Sequence, residues 1–407
     1  MTEILEEYRK RRGREIADKG GIVRRNNKLT VPSETKATRK YSVEISPTNV
    51  SCTCPDHKKI GERCKHIYAA EIFLRREQGL DETDAPVGPR RPTYPRDFSL
   101  INAAQTREED EFEPMLFALC QGVADFPYAK GRRPVPLCDV IFAIITKVYL
   151  GKSARRVVSR LNRSHRDGYL SRPIPFGTLL DYLERDEIAP ILEEMIVRSS
   201  LPMVPIETVF AIDSTGMSGS RFVRWRDIKY RGIKEKLWAK LHVMIGTRTM
   251  IVTAAYIGDR DASDTVQLPR LLNTTARSFT IRELVADIAY NTKDNQKRIA
   301  DIGARAFIPY KSNHVGKGGG VWTEQFQWAK NNAEEFDKHY HQRSKIESAF
   351  MSMKTVFGDS LRSRKPTAMK NEALCKLICH NLVCLNRAMD QFGIGAEFLT
   401  ATLEAAE

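Results

Sequence analysis

Two short apolar runs that each close on an aspartate constrain this chain most. In ETVFAID, Val209 to Ile212 are continuously apolar, Asp213 follows, and Ser214, Thr215 and Gly216 break the run. In RELVADIAY, Leu284 to Ala286 lead into Asp287, with a turn or helix start over Asn291 to Asn295. An uninterrupted apolar run of this length fits a central strand buried on both faces. Between the two acids, Leu237 to Ile245 and Met250 to Ile257 have the β-rich composition of two strands joined through a turn at Gly246. After Asp287, ARAFIPY supplies one more short strand. The predicted order is a strand ending near Asp213, two strands, a helix, the Asp287 strand, a helix and a strand.

The next constraint is YHQRSKIESAFMSMK, Tyr340 to Lys354. Tyr340, Arg343, Glu347 and Lys354 stand at offsets 0, 3, 7 and 14. At about 100° per residue, they fall within roughly 60° of one another on a helix. Ile346, Ala349, Phe350 and Met353 fill the adjoining stripe, which is predicted to pack on a core. The polar face holds an acid framed by two cations and a phenol. Such a face suits phosphodiester chemistry, with a carboxylate to hold a metal ion and bases to hold phosphates.

The spacing Y-x2-R-x3-E-x6-K resembles the signature of DDE transposases of bacterial and archaeal insertion sequences, and the element order is similar to their core. The resemblance implies an α/β fold: a ribonuclease-H-like catalytic core, in which helices flank a mixed sheet, behind a helical N-terminal DNA-binding region. It implies Mg²⁺ or Mn²⁺ on oxygen ligands, two ions about 3.5–4 Å apart, bridged by Asp213 and each held further by Asp287 or Glu347. It gives Arg343 and Lys354 the phosphate oxygens near the cut, and Tyr340 a hydrogen bond there. The activity implied is strand cleavage at element ends, then transfer of the 3′-hydroxyl into target DNA. Only 60 positions separate Asp287 from Glu347, so the large β-rich insertion of some relatives cannot be present in full, and GGGVWTEQFQW is taken as its reduced remnant. Of the other acids, Asp259, Asp261 and Asp264 in GDRDASD fit a solvated loop with Asp264 near a helix start, or an approach to the metal site. Asp294, Asp301 and Asp337 read as surface charges.

At the other end, SCTCPDHKKIGERCKH sets Cys52, Cys54, Cys64 and His66 in the pattern C-x-C-x9-C-x-H. Three thiolates and one imidazole form a recognised structural Zn²⁺ set with no position left for substrate. The pattern resembles the SWIM zinc finger. YSVEISPTNVSCTC supplies strands into the knuckle, and Ile67, Tyr68, Ile72 and Phe73 a helix packing back on them. His57 fits the pattern less well and reads as exposed. The remaining cysteines, Cys120, Cys138, Cys375, Cys379 and Cys384, sit in apolar helical segments and read as buried thiols in a reducing compartment. Cys375, Cys379 and His380 lack a clear fourth ligand, which favours core packing over a second metal site.

The formal charge of +14 over 407 residues suits a polyanionic partner, here double-stranded DNA. Residues 1–78 hold a basic N-terminus and the zinc finger (40–75), and the Pro- and Gly-containing stretch 79–98 reads as a linker. Residues 99–200 read as helical, and within them Arg155, Arg156, Arg160, Arg163 and Arg166 fit a helix-turn-helix that reads DNA ends, or basic helices that only pack. Residues 201–390 form the catalytic domain and 391–407 a tail. Arg362, Arg364 and Lys365 form a second basic patch. HVGKGGGVW lacks the order of a phosphate loop. No secretory apolar segment and no run of eighteen apolar residues is present, so the expectation is a cytoplasmic, nucleoid-associated protein without a membrane partner. A homodimer on paired DNA ends is a further expectation. Two alternatives to the transposase remain open: a metal-dependent nuclease without strand transfer, and a catalytically silent zinc-finger adaptor.

Overall fold

The structure, a computed structural model, describes residues 2–25, 28–34, 38–45, 50–60, 63–77, 97–127, 130–131, 133–219, 238–258, 263–311 and 314–398. It divides into two compact units, Met1–Thr93 and Tyr94–Glu407.

The first unit opens with α1 (Thr2–Lys19) and continues into a four-stranded antiparallel sheet in the order β1-β2-β3-β4 (Val23–Arg25, Lys28–Pro32, Lys40–Ile45, Val50–Cys52). The short α2 (Pro55–Ile60) and then α3 (Lys65–Glu77) follow. Alternation along β2 buries Leu29 and Val31, which join Val43, Ile67 and the three cysteines in one small core. Gly13 lets α1 close on α3: a Cβ there would lie 2.6 Å from Tyr68 Cβ and 2.9 Å from Lys65 O. The basic N-terminal segment is therefore part of the module's packing. Arg9 pairs with Asp56 at 3.3 Å, and Arg12 and Lys65 both pair with the buried Glu34. Some of the charge that composition assigns to a polyanion is engaged inside the unit.

Most of the expected linker lies outside the described residues. In the second unit, Asp97 caps α4 (Phe98–Cys120), its side chain accepting from Leu100 N at 3.1 Å. Next come α5 (Leu137–Tyr149), α6 (Ala154–Arg166), α7 (Phe176–Leu183) and α8 (Ile188–Ser200). The sheet strands are β5 (Val209–Gly219), β6 (Trp238–Gly246) and β7 (Val252–Gly258), then α9 (Leu268–Ala276), β8 (Glu283–Ala286), α10 (Lys293–Asp301) and β9 (Arg305–Phe307). The chain continues through α11 (Gly320–Asn331), α12 (Ala333–Tyr340), α13 (Ser344–Phe357), the two-residue β10 (Ser360–Leu361) and α14 (Pro366–Phe392). The sheet order is β7-β6-β5-β8-β9, with β6 antiparallel to its neighbours and β8 and β9 parallel to β5. Phe210, Ala211 and Ile212 of the central strand are fully buried, each large side chain contributing about 1.5–3 kcal/mol.

Three expectations need correction. Tyr340 to Lys354 is not one α-helix: Tyr340 ends α12, a 3-10 turn spans His341–Arg343, and α13 starts at Ser344. GGGVWTEQFQW is no β remnant, because Gly320–Asn331 is helical. The helices of residues 98–200 and the sheet share one core, since α4, α5, α7 and α8 all pack on the largely buried α14.

Candidate active site

Asp213 and Asp287 come together through strand register. β5 and β8 pair in parallel with Ile212 opposite Ala286, so each aspartate is the next residue on neighbouring strands about 4.8 Å apart. Each is fixed by a backbone amide: Ser214 N donates to Asp213 Oδ1 at 2.8 Å, and Ile288 N donates to Asp287 Oδ1 at 2.7 Å. Burial raises the Asp213 pKa, against the Ser214 amide and Arg343, which lower it; Asp287 and Asp264 add to the rise.

Glu347 reaches the same place from α13. Arg343 bridges the two: its Nη1 lies 3.1 Å from Asp213 Oδ2 while Nη2 bonds Glu347 Oε1 one helical turn on. Two turns beyond Glu347, Lys354 Nζ donates to Thr215 Oγ1 at 2.6 Å. Thr215 shares a strand face with Asp213, so α13 lies along β5. Ile346, Ala349 and Met353 hold it there as buried contacts, as the apolar stripe predicts, with Phe350 partly buried. Gly358 ends the helix at φ 81°, where glycine is favoured, and β10 then pairs with the far end of β5. Lys376 on α14 fixes this turn by donating to Gly358 O and Ser360 O at 2.9 and 2.8 Å.

Tyr340, at the end of α12, stacks on Phe336, and burial raises its pKa, so its hydroxyl stays protonated. Desolvation lowers the Lys354 pKa. Asp213, Glu347 and Lys354 line one open cleft of about 660 Å³, whose wall includes Phe350, Met351 and Asp359. The arrangement can hold a cation between carboxylates, because it already seats a guanidinium between two of them.

Sequence reasoning placed Asp264 near a helix start, and it does precede the 3-10 turn Thr265–Gln267. It missed the partners: Asp264 lies 2.9 Å from Lys240 Nζ and 3.3 Å from His242 Nδ1. The nearly continuous apolar run of β6, buried from Leu241 to Gly246, would have flagged His242 as a buried polar residue worth pairing. Asp259 and Asp261 lie outside the described residues. Asp294, Asp301 and Asp337 are exposed, as expected.

In the first unit, Cys52, Cys54, Cys64 and His66 are all buried, and one donor atom of each lies within 4.8 Å of the others. Ligands on a tetrahedral zinc at about 2.3 Å stand roughly 3.8 Å apart, so the cluster fits that ion. His66 Nδ1 is 3.9 Å from Cys64 Sγ. Hydrogen bonds from Cys52 and then Cys64 pull the Cys54 thiol strongly toward thiolate, and the amide of His57 supports it at 3.4 Å. His57 is half-buried rather than exposed. The cluster is consistent with a structural Zn²⁺ site. Of the other cysteines, Cys120, Cys375, Cys379 and Cys384 are buried and Cys138 is half-buried. Cys384 contacts His380 at 3.4 Å inside the core.

Of the five arginines on α6, Arg155, Arg156, Arg163 and Arg166 are exposed. Arg160 turns inward instead, its Nε donating to Glu113 at 2.9 Å, because Val157, Leu161 and Ser164 bury that side of the helix. Arg362 and Arg364 are exposed, and Lys365 pairs with Glu184. Among the described residues, no helix is long and apolar enough to cross a membrane. Two family models match the chain: residues 205–382 match the transposase DDE domain, and residues 41–74 match the SWIM zinc finger.

Proposed function

We propose that this chain, in which a transposase DDE domain follows an N-terminal SWIM zinc finger, cleaves DNA at the ends of its element and joins the freed 3′-hydroxyl to target DNA. The observation that carries the proposal is the seating of Arg343 between Asp213 and Glu347, beside a strand end that presents Asp287. The sheet order, with β6 the antiparallel strand among the five described strands β5 to β9, supports a ribonuclease-H-like core.

Asp213, Asp287 and Glu347 would hold Mg²⁺ or Mn²⁺, which when bound supplies Lewis acidity and an activated water or hydroxyl. Asp213 lies within β5 and Asp287 directly follows β8, and the pairing of these strands keeps their separation constant. With the carboxylates engaged by a metal ion, Arg343 would be free to take a phosphate oxygen with its planar fork. Lys354 stands on α13, two turns beyond Glu347, and fits the next phosphate. Tyr340 keeps its proton and so can donate to a phosphate oxygen. Arg155, Arg156, Arg163 and Arg166 offer a basic face for the element's ends, with Arg362 and Arg364 as a second patch. The same carboxylates would serve a nuclease that never joins ends. The test is incubation of the protein with a labelled pre-cut end, a target plasmid and Mg²⁺. Joined product supports the transposase, cleavage without joining assigns a nuclease, and neither reaction leaves a DNA-binding adaptor.

A further inference from the structure

The strands on either side of Asp213 are tied together by a turn that none of the three carboxylates occupies. β6 flanks β5 on one side and β8 on the other. Asp264 pairs with Lys240 of β6 at 2.9 Å, and His242 Nδ1 of the same strand lies 3.3 Å from it, although burial lowers the His242 pKa. His242 is fully buried and stands opposite Ser214, the residue after Asp213. The residue after Asp264 grips the other side: Thr265 Oγ1 donates to Ala289 O at 2.7 Å. Asn295 Nδ2 closes the link, donating to Thr265 O at 3.3 Å and to Tyr290 O at 2.9 Å. Ala289 and Tyr290 belong to the short 3-10 turn that Asp287 itself caps. Asn295 is 2 % exposed and Tyr290 1 % exposed, so the bond between them is shielded from water, while the Thr265–Ala289 bond lies at the surface.

We propose that Asp264 is a positioning residue of the catalytic centre, stapling β6 to the Asp287 turn across the strand that carries Asp213. Lys240 is only 20 % exposed in its side chain, which holds its ion pair with Asp264 partly out of water. Asp264 lies within electrostatic reach of Asp213 and of the buried Tyr290. The inference rests on the carboxylates being a divalent-metal site, so its test must separate the two ideas.

The experiment is a Mn²⁺ titration of the full chain with its zinc module loaded, following free Mn²⁺ by electron paramagnetic resonance. Wild type is compared with Asp264→Asn, Thr265→Val and Glu347→Gln, with the near-ultraviolet circular dichroism of each recorded in parallel. Asp264→Asn is expected to raise the Mn²⁺ Kd by about tenfold, the scale seen when a group supporting metal ligands is lost. Its dichroism stays that of wild type, which a general loss of the fold would not allow. Thr265→Val, deleting one hydroxyl, is expected to raise Kd more modestly. If Glu347→Gln binds Mn²⁺ as wild type does, the metal-site reading itself fails. If Glu347→Gln weakens binding while Asp264→Asn does not, the staple alone is overturned. Should Asp264→Asn fail to fold, unchanged affinity in Thr265→Val overturns it on the same terms.

Discussion

Arg343 occupies the point where the carboxylates converge, and that makes it a competitor as well as a helper. A guanidinium between Asp213 and Glu347 opposes the entry of a second cation. Arg343→Ala should therefore bind Mn²⁺ at least as tightly as wild type, and more tightly at low salt, while cleaving DNA more slowly. Calorimetric titration beside a cleavage assay checks this, and weaker Mn²⁺ binding would contradict it. At this scale the sequence was informative where a residue's surroundings are local. Asp213 and Asp287 were legible because each closes an apolar run. The zinc ligands were legible because their spacing is short. Arg160 was not, since five arginines on one amphipathic helix look alike and its partner Glu113 lies on α4. Asp264 was half legible: its place before a turn follows from neighbours, but Lys240 and His242 meet it only after β6 folds into the sheet.

Elements were read well in order and less well in detail. Strand, strand, strand, helix, strand, helix, strand appears in the structure in the predicted order, because uninterrupted apolar runs and Gly-containing turns mark it; but β5 does not end near Asp213, since Ser214, Thr215 and Gly216 stay paired with β6 and the strand runs on to Gly219. The change from α12 through a 3-10 turn to α13 leaves hydrophobic periodicity nearly intact, so a pattern count cannot see it. The helix over Gly320–Asn331 was missed because the three glycines at its start argue for a loop; Gly318, Gly319 and Gly320 do have positive φ, and the helix begins at the last of them. The zinc module gives a prediction at this scale. Its cluster lies in the small core that also holds Val43 and Ile67, so metal binding and folding are coupled there. Cys64→Ser, or removal of zinc by a chelator, should release the protected amides of α1 and α3. The sheet amides of residues 209–286 should exchange as before. Hydrogen exchange read by mass spectrometry checks both halves, and retained protection of α3 without zinc would contradict the structural role.

Over the whole molecule, the sequence drew a boundary inside residues 94–407 where the structure has a shared core. The apolar faces of α4, α5 and α8 have no sequence mark that says they pack on α14 as well as on each other. Among the described residues α14, buried along most of its length, joins the helices to the sheet, and α8 also packs directly on β7. A change in the helices is thus felt at the sheet through α14 and α8, and α14 also holds Lys376 against the turn after α13. The central claim is that three carboxylates, brought together by strand register and by α13, perform metal-dependent chemistry on DNA. The most direct measurement is the rate of Mg²⁺-dependent cleavage of labelled element ends by wild type and by Glu347→Gln, with DNA binding measured in parallel. Glu347 is 57 % exposed in its side chain and its neighbours Ile346 and Ala349 carry the packing, so the variant should fold and bind DNA as wild type does. Its cleavage rate should fall by at least about a hundredfold, a loss of roughly 2.7 kcal/mol of transition-state stabilisation. Cleavage at the wild-type rate would contradict the account.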